Sequence, residues 1–302
     1  MVESRSNIFD PTTLAQLKSL KLRAQRLASG LSYGAHASMR LGYSTDYLDH
    51  APWEEGNDPK LIDWRVFART NKLFQRRYIE DTDASFYFML DFSKSMTYRG
   101  APSPLSKLEY AQSLAAALVF LAINQQDQTG ISIFDENKYA RLRPASGETH
   151  WGECLRFLEA PPLDVSQNVV ENFSQALNFF ASDTLRRGYS FIFTDFLDVS
   201  LESLRPQWRE LRAKRQNVVV FHILDTDEID FPFESYSNFV ALEGSEQPLT
   251  LNASEVRDVY QKNVAIWRKR LAEECARFGI EIHTTLTNAP LSHVLHRVCA
   301  FR

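Results

Sequence analysis

The chain has 302 residues, of which 44% are hydrophobic and 12% aromatic, enough for one large packed domain or a domain with a smaller appendage. The formal net charge of −4 excludes a global attraction to nucleic acid or anionic lipid. The three cysteines are far apart and form no C-x-x-C pair, which excludes a disulfide framework and a cysteine zinc site. The first residues lack the apolar run of a signal peptide, and the longest apolar run, residues 114–123, is about half a membrane span. We therefore expect a cytoplasmic protein with no membrane span.

The first 80 residues differ in pattern from the rest of the chain. A helix is predicted over residues 11–29 and is expected to end at Gly30, and a loop rich in aromatic and charged residues is predicted to follow up to Pro59. This part does not show the alternation of strands and helices that begins near residue 85. We therefore interpret residues 1–80 as a small N-terminal subdomain and residues 81–302 as a separate α/β domain.

From residue 85 onward, apolar strands alternate with amphipathic helices, which is typical of a parallel sheet covered on both faces. Near-continuous apolar runs such as residues 218–220 indicate strands that are buried on both faces. A pair of short strands at about 231–252 is predicted to form a β-hairpin elaboration on the surface. The fold class is therefore predicted to be α/β, three-layered, with a doubly wound, mostly parallel sheet of about six strands. In chain order the predicted strands cover residues 85–90, 130–134, 139–143, 190–196, 217–224 and 280–286, and the predicted helices 106–126, 167–182, 199–214, 254–278 and 290–299.

Polar oxygen-bearing residues follow two of these strands. Asp91 comes directly after the first strand, and the two-residue spacing directs Ser93 and Ser95 to the same side of an extended turn. Asp195 ends the fourth strand, which is the neighbour of the first in the usual order of such sheets, at the edge where ligands collect. The predicted metal ligands are Asp91, Ser93, Ser95 and Asp195. A set of ligands that are all oxygen atoms suits Mg²⁺, with Mn²⁺ or Ca²⁺ as alternatives. The other interpretation is that Asp91 or Ser93 merely caps a turn or a helix.

Several motifs resemble known families. "DFSKSM" after an apolar strand, followed by "SKLEYA", "GISIFDE" and "FIFTDF", resembles the von Willebrand factor A domain with its metal-ion-dependent adhesion site. Residues 34–78 resemble the signature of the bacterial domain-of-unknown-function family 58, whose members are encoded beside MoxR-type AAA+ ATPases. The most specific element is Ile-Asp-Trp-x-x-x-Ala-Arg. The signature positions in register are Gly34, His36, Ser38, Gly42, Gly56, Asp58, Ile62, Asp63, Trp64, Ala68 and Arg69.

The sequence departs from the family pattern at the second metal loop. Where the family has Gly-Gly-Thr-Asp-Leu, this chain has Glu171 at the Thr position. Glu171 is therefore the candidate third-loop ligand, Ser166, Asn168 and Asn172 are alternatives, and the occupancy of the site is left open. The other departures are Asp46-Tyr47 for Glu-Phe, Ala51 for Arg, Asn57 for Asp and Lys60 for Arg.

A structural role is predicted for the signature, which would hold the N-terminal subdomain to the sheet. In this interpretation Trp64 and Phe67 are core anchors and Asp63 pairs with a neighbouring Arg. A role in facing a partner is the alternative. The signature residues assigned to this structural group are His36, Asp58, Asp63, Trp64 and Arg69.

The segment from residue 60 to residue 77, here called the basic segment, carries a cluster of positive charges. It could bind phosphate or nucleic acid, but the following "IEDTD" supplies neutralising acids and no DNA-reading motif accompanies it. We interpret it as a solvated or salt-bridged face that could dock an acidic partner. Its predicted partner-binding residues are Arg65, Arg69, Arg76 and Arg77.

Taken together, the sequence predicts a non-enzymatic, metal-dependent protein-binding module. The resemblance implies a MoxR-type AAA+ ATPase as partner, offering an acidic residue to the metal, and a role in assembling, activating or remodelling other proteins. One alternative is a metal-independent scaffold that docks through the basic segment. Another is a phosphatase-like enzyme that uses Asp91 as nucleophile, although Ser93 stands where such enzymes have a second Asp as general acid.

Overall fold

The computed structural model describes residues 10–34, 45–53, 62–80, 85–161, 168–170, 172–197, 199–234, 236–239 and 249–300. Eleven strands lie within these ranges. They are β1 (Thr45–Pro52), β2 (Phe74–Glu80), β3 (Ser85–Asp91), β4 (Gln128–Phe134), β5 (Lys138–Ala145), β6 (Asn168–Val169), β7 (Gly188–Thr194), β8 (Gln216–Leu224), β9 (Tyr236–Phe239), β10 (Leu249–Asn252) and β11 (Glu281–Leu286). The helices of the described part are α1 (Pro11–Ala15), α2 (Leu20–Gly34), α3 (Trp64–Thr70), α4 (Lys107–Asn124), α5 (Glu148–Glu159), α6 (Phe173–Asp183), α7 (Arg205–Ala213), α8 (Thr226–Asp230), α9 (Ala253–Arg277) and α10 (Leu291–Ala300).

Seven strands form the central sheet, in the order β11-β8-β7-β3-β4-β5-β6. The five strands β11, β8, β7, β3 and β4 run parallel, whereas β5 and β6 pair antiparallel at one edge. The chain first builds outward from β3 to β6 and then returns to the other side of β3 for β7, β8 and β11. The strand order therefore reverses between β3 and β7. This topology confirms the predicted α/β, doubly wound, mostly parallel fold.

The sheet is covered by helices on both faces. In β3, Phe86, Phe88 and Leu90 point to one core, shared with α2, α4, α5 and α10, and Tyr87 and Met89 point to the other, shared with α6, α7 and α9. This alternation follows from the two-residue period of a strand, and burial on both faces explains its near-continuous apolar sequence. The central helix α4 begins with a capping box, in which the side chains of Ser106 and Glu109 each accept the other's backbone N–H.

The N-terminal part differs from the prediction. The helix expected over residues 11–29 is two helices, and Gly30 does not end the second, which continues to Gly34. Burial of Leu20, Ala24 and Leu27 against the core that α4 also lines outweighs the cost of about 1 kcal/mol for a glycine within a helix. The predicted boundary near residue 80 stays a prediction.

Other elements were not anticipated from sequence. The loop predicted up to Pro59 is wrong over β1, which pairs antiparallel with β2. Helix α5 was missed, although His150, Trp151, Cys154 and Leu158 recur at helical spacing and are buried. The predicted pair of short strands near residues 231–252 is present as β9 and β10, which pair antiparallel. Among the helices within the described ranges, none has the length and apolar character needed to cross a bilayer.

Candidate functional site

The end of β3 gathers three oxygen-bearing side chains. Asp91 is the last residue of the strand, and its Oδ1 accepts the backbone N–H of Ser93 at 2.9 Å. A 3₁₀ turn over Lys94–Thr97 follows and brings the Oγ of Ser95 to 3.0 Å from the Oγ of Ser93. All three side chains are buried. The turn therefore presents one carboxylate and two hydroxyls together, as the two-residue spacing predicted.

The end of β7, on the other side of the strand-order reversal, supplies the second half of this cluster. The hydroxyl of Thr194 donates to Asp91 Oδ2 at 2.7 Å, so it joins the two strand ends directly. The next residue, Asp195, accepts the backbone N–H of Leu197 at 3.0 Å and also hydrogen-bonds Ser95. Phe196 then adopts a φ of 54°, in the left-handed region that bulky residues rarely occupy. The structure thus brings Asp91, Ser93, Ser95 and Asp195 together.

A buried lysine completes the cluster, and its role was not foreseen from the sequence. The Nζ of Lys107 lies 2.8 Å from Asp195 Oδ2 and 2.7 Å from Glu228 Oε1, and the lysine side chain is only 1% exposed. Lys107 is the first residue of α4, where the helix dipole disfavours a positive charge. Its partners lie 88 and 121 positions away along the chain, so no local sequence signal indicates these contacts.

The two aspartates differ in charge state. Burial and, next, the neighbouring charge of Asp195 raise the pKa of Asp91 to about 7, against the opposing hydrogen bonds from Ser93 and Thr194. Burial also acts to raise the pKa of Asp195, but the charge of Lys107 outweighs it and holds that pKa below its usual value. The pKa of Lys107 is raised because Asp195 and Glu228 outweigh the effect of its own burial. Asp195 is therefore an anion at neutral pH, whereas Asp91 is about half protonated there.

The oxygen set fits a hard divalent cation. Asp91 has no cationic side chain in contact within the described part of the chain, whereas Asp195 already pairs with Lys107. The described ranges contain no group of three or more His, Cys, Asp or Glu side chains arranged to hold a metal. The oxygen ligands available at the cluster are the carboxylates of Asp91 and Asp195 and the neighbouring hydroxyls. Mg²⁺ suits such a set because it keeps several waters and takes only one or two carboxylates from protein.

The third-loop ligand candidates are not brought into this cluster by any described contact. Glu171 and Ser166 lie outside the described residues. Asn168 lies in β6 at the antiparallel edge of the sheet. Asn172 caps α6, and its side chain accepts the backbone N–H of Gln175 at 3.0 Å. The assignment of Glu171 stays a prediction.

The signature around Asp63 has a local structural role. The Asp63 side chain accepts the backbone N–H groups of Arg65 and Val66 and so caps α3. The prediction that Trp64 is a core anchor is wrong, because Trp64 is 60% exposed and no residue of α3 is buried. Among the described side chains of residues 62–74, Ile62 is the buried apolar one. His36 and Asp58 lie outside the described residues.

The predicted partner-binding arginines lie on two adjacent elements. Arg65 and Arg69 are exposed on α3. Arg76 and Arg77 lie in β2, opposite His50 and Asp49 of β1. Their assignment to a partner stays a prediction.

A further buried acid, Asp225, accepts hydrogen bonds from the loops beside the cluster. Asp225, at the end of β8, accepts the backbone N–H of Gly100 at 3.1 Å and the hydroxyl of Thr287 at 2.9 Å. It also accepts the backbone N–H of Asp227 and so caps α8. These hydrogen bonds outweigh burial and keep its pKa below the usual value. The loops that follow β3, β8 and β11 therefore share one buried carboxylate.

Comparisons with known proteins place the chain in a family. The chain is 26% identical over 230 residues to the uncharacterized proteins Rv1480 of Mycobacterium tuberculosis and Mb1516 of Mycobacterium bovis, which covers 76% of this chain and 70% of each relative. Among solved structures it is similar to BatB from Bacteroides thetaiotaomicron, with a TM-score of 0.46, 14% identity and coverage of 72% of this chain and 97% of that one. It is also similar to the VWA domain of SpRpn10, with a TM-score of 0.41, 9% identity and coverage of 71% and 94%. The family model "Protein of unknown function DUF58" matches residues 49–270, and since this is well over half of its length, the chain belongs to the DUF58 family.

Proposed function

We propose that the protein is a non-enzymatic protein-binding module that holds a divalent cation at Asp91, Ser93 and Ser95 and uses it to recognise a carboxylate of a partner. The observation that carries this proposal is the convergence of these oxygens with Asp195 where the strand order reverses. Asp91 lacks a cationic partner in the described structure, and burial raises its pKa. A bound cation would supply the missing positive charge and take the place of the Asp91 proton.

The surrounding residues would fix the geometry of this site. The backbone N–H of Ser93 and the hydroxyl of Thr194 each hold one oxygen of the Asp91 carboxylate. Lys107 holds Asp195 in place, and its ammonium offsets the negative charge that Asp195 would otherwise direct at Asp91. When bound, the ion supplies an open coordination position for an acidic side chain, a bond that discriminates between partners by geometry. Glu171 is the remaining candidate ligand.

A MoxR-type AAA+ ATPase is the proposed partner, and the proposed outcome is the assembly, activation or remodelling of other proteins. What supports this is membership of the DUF58 family together with the resemblance of its signature. A pull-down from the native cell in Mg²⁺, comparing the wild type with Asp91→Ala, tests it. Recovery of a AAA+ ATPase by the wild type alone is expected, and recovery of none would refute the partner assignment.

Magnesium-dependent stability tests the metal site. Thermal unfolding is measured after EDTA treatment and again in MgCl₂, for the wild type, Asp91→Asn and Asp135→Asn. Asp135 is the matched control because it also follows a parallel strand, but its carboxylate only closes the turn to Lys138. At a Mg²⁺ concentration of about 100 times Kd, binding stabilises by about 2.7 kcal/mol. We expect that increase in the wild type and in Asp135→Asn, and none in Asp91→Asn.

One observation favours a second candidate, a metal-independent scaffold. The Lys107 ammonium already supplies a positive charge to Asp195, so part of the cluster is compensated without an ion. In that case docking would use the basic segment, where Arg65 and Arg69 are exposed. Two results together would favour the scaffold. MgCl₂ would stabilise neither the wild type nor Asp91→Asn nor Asp135→Asn, and Arg65→Glu/Arg69→Glu would no longer capture the partner.

A phosphatase-like activity is disfavoured by the geometry. Asp91 is held by Thr194 and by the Ser93 backbone, and Ser93 stands at the general-acid position. Turnover of a generic phosphomonoester that disappears in Asp91→Asn would require the enzymatic interpretation instead.

A further inference from the structure

A cavity of about 590 Å³ opens beside the candidate metal cluster, between the loop that follows β7 and helix α9. Its volume lies in the range of pockets that enclose a ligand group of substantial size. Asp195 lines the cavity and belongs to the cluster, so the two adjoin each other at this residue. The apolar residues that line it are Phe196, Leu197, Val199, Leu224, Val264 and Trp267.

Among the described polar groups of this cavity, the Arg268 guanidinium is the charged group without an ion-pair partner. Asp195 and Glu228 both contact the Lys107 ammonium, and the hydroxyl of Tyr260 donates to the backbone carbonyl of Glu228 at 3.1 Å. Arg268 also lines the cavity, and no ion pair joins it to an acid in the described part of the chain. Its Nε is buried and has no acceptor. An unpaired buried donor of this kind costs about 1–3 kcal/mol, so an anionic group bound here would recover that loss.

We propose that this cavity receives a bulky apolar side chain of a partner protein and that Arg268 pairs with a carboxylate adjacent to that side chain. The inference rests on the proposed function, since it defines the chemistry of the partner at the edge that carries Asp91. Apolar walls around one unmatched guanidinium are complementary to an apolar–acidic pair of residues. Leu197, which is 47% exposed at the lip, gives such a segment an apolar surface to lie against.

Peptide selection tests this assignment. A display library of random 12-residue peptides is selected on the full chain in MgCl₂, and the affinities of the enriched peptides are measured by fluorescence polarisation. We expect enriched sequences to carry a large apolar residue within two positions of Asp or Glu. Val264→Phe, which fills the cavity, and Arg268→Gln should each weaken binding at least tenfold.

Two matched controls lie on the same helix. Val259 is 60% exposed and does not line the cavity, and Arg270 is exposed and also lies outside it. Val259→Phe and Arg270→Gln should change the affinity by less than twofold. If Val264→Phe lowers the melting temperature, Leu197→Arg at the exposed lip replaces it, with the same tenfold loss expected.

The outcomes separate this inference from the metal site. Binding that depends on Val264 and Arg268 but persists in EDTA and in Asp91→Asn would support the cavity and refute the metal-dependent function. Binding that requires Mg²⁺ and Asp91 but ignores both cavity substitutions would overturn the cavity inference alone. Enrichment of no peptide, or of peptides without an acid, would also overturn it. If no peptide binds but the small apolar carboxylate 4-phenylbutyrate does, the cavity takes a small molecule and the inference is likewise overturned.

Discussion

Replacing Lys107 with Met tests whether its ammonium balances the buried charge of the cluster. The Nζ of Lys107 contacts Asp195 at 2.8 Å and Glu228 at 2.7 Å, and the side chains of Lys107 and Asp195 are 1% and 3% exposed. Methionine fills most of the volume of the lysine stem, so the main loss is electrostatic. Removing one partner of a buried ion pair costs about 3–5 kcal/mol because the other charge stays buried and uncompensated.

The expected loss is therefore about 3–5 kcal/mol at pH 7.5, measured by urea denaturation in EDTA. For a chain of this size it corresponds to a melting temperature lower by roughly 6–20 °C. The loss should shrink at pH 5, because without Lys107 the Asp195 carboxyl can take up a proton more readily. Lys107→Met/Asp195→Asn should recover at least half of the lost stability, since the deeply buried Asp195 then carries no charge and the acid left without its lysine, Glu228, is 27% exposed.

Lys94→Met is the matched control, because that lysine is 67% exposed and pairs with Glu136 at 3.2 Å on the surface. A surface pair of this kind contributes about 0–1 kcal/mol. A loss below about 1 kcal/mol in Lys107→Met, or one no larger than in Lys94→Met, would refute the reasoning that the ammonium compensates a buried acid.

Three further predictions concern pH, backbone space and burial. In EDTA the contribution of Asp91 to the free energy of unfolding should fall by up to about 4 kcal/mol from pH 4 to pH 7, because Asp91 keeps its proton in the folded state up to a pKa of about 7 while the unfolded chain releases it near pH 4. Urea denaturation should show this as a loss of stability of the wild type relative to Asp91→Asn over that range, and a difference that does not change with pH would contradict the shift. Gly100→Ala should destabilise the protein by about 1–3 kcal/mol, because the added Cβ would overlap the carboxylates of Asp225 and Asp227. Gly152→Ala in α5, where a Cβ meets nothing within 4 Å, should instead stabilise it by about 0.5–1 kcal/mol in the same assay. Trp64→Ala should cost less than about 1 kcal/mol and Trp208→Ala, at 2% exposure, about 3–5 kcal/mol by urea denaturation; similar losses would contradict the exposure of Trp64.

The central sheet could be predicted because its signal is local. Strands such as β3 and β8 are buried on both faces, so their sequences are apolar almost without interruption. The same logic located Asp91 and Asp195, because both follow parallel strands that the usual order makes neighbours. Proximity at one edge of the sheet thus follows from topology.

The missed features depend on contacts between distant residues. Glu228 lies 121 positions from Lys107, and no local pattern specifies that their side chains meet. Trp64 was assigned to the core because of its type, whereas the short helix that carries it buries none of its residues. The pairing of β1 with β2 joins segments that are separated by α3, and neither shows the apolar run of a buried strand. These features depend on contacts between residues that are distant in the sequence, which a local pattern does not specify.

The shared hydrogen bonds of Asp225 bear on the kinetics of association. Because one buried carboxylate accepts N–H or O–H groups from Gly100, Asp227 and Thr287, the loops that follow β3, β8 and β11 form one ordered unit before any partner arrives. A partner that docks on this edge has little conformational entropy to remove from it. Association should then proceed as the docking of preformed surfaces, in the range of about 10⁵–10⁷ M⁻¹s⁻¹, without a slow loop-ordering step.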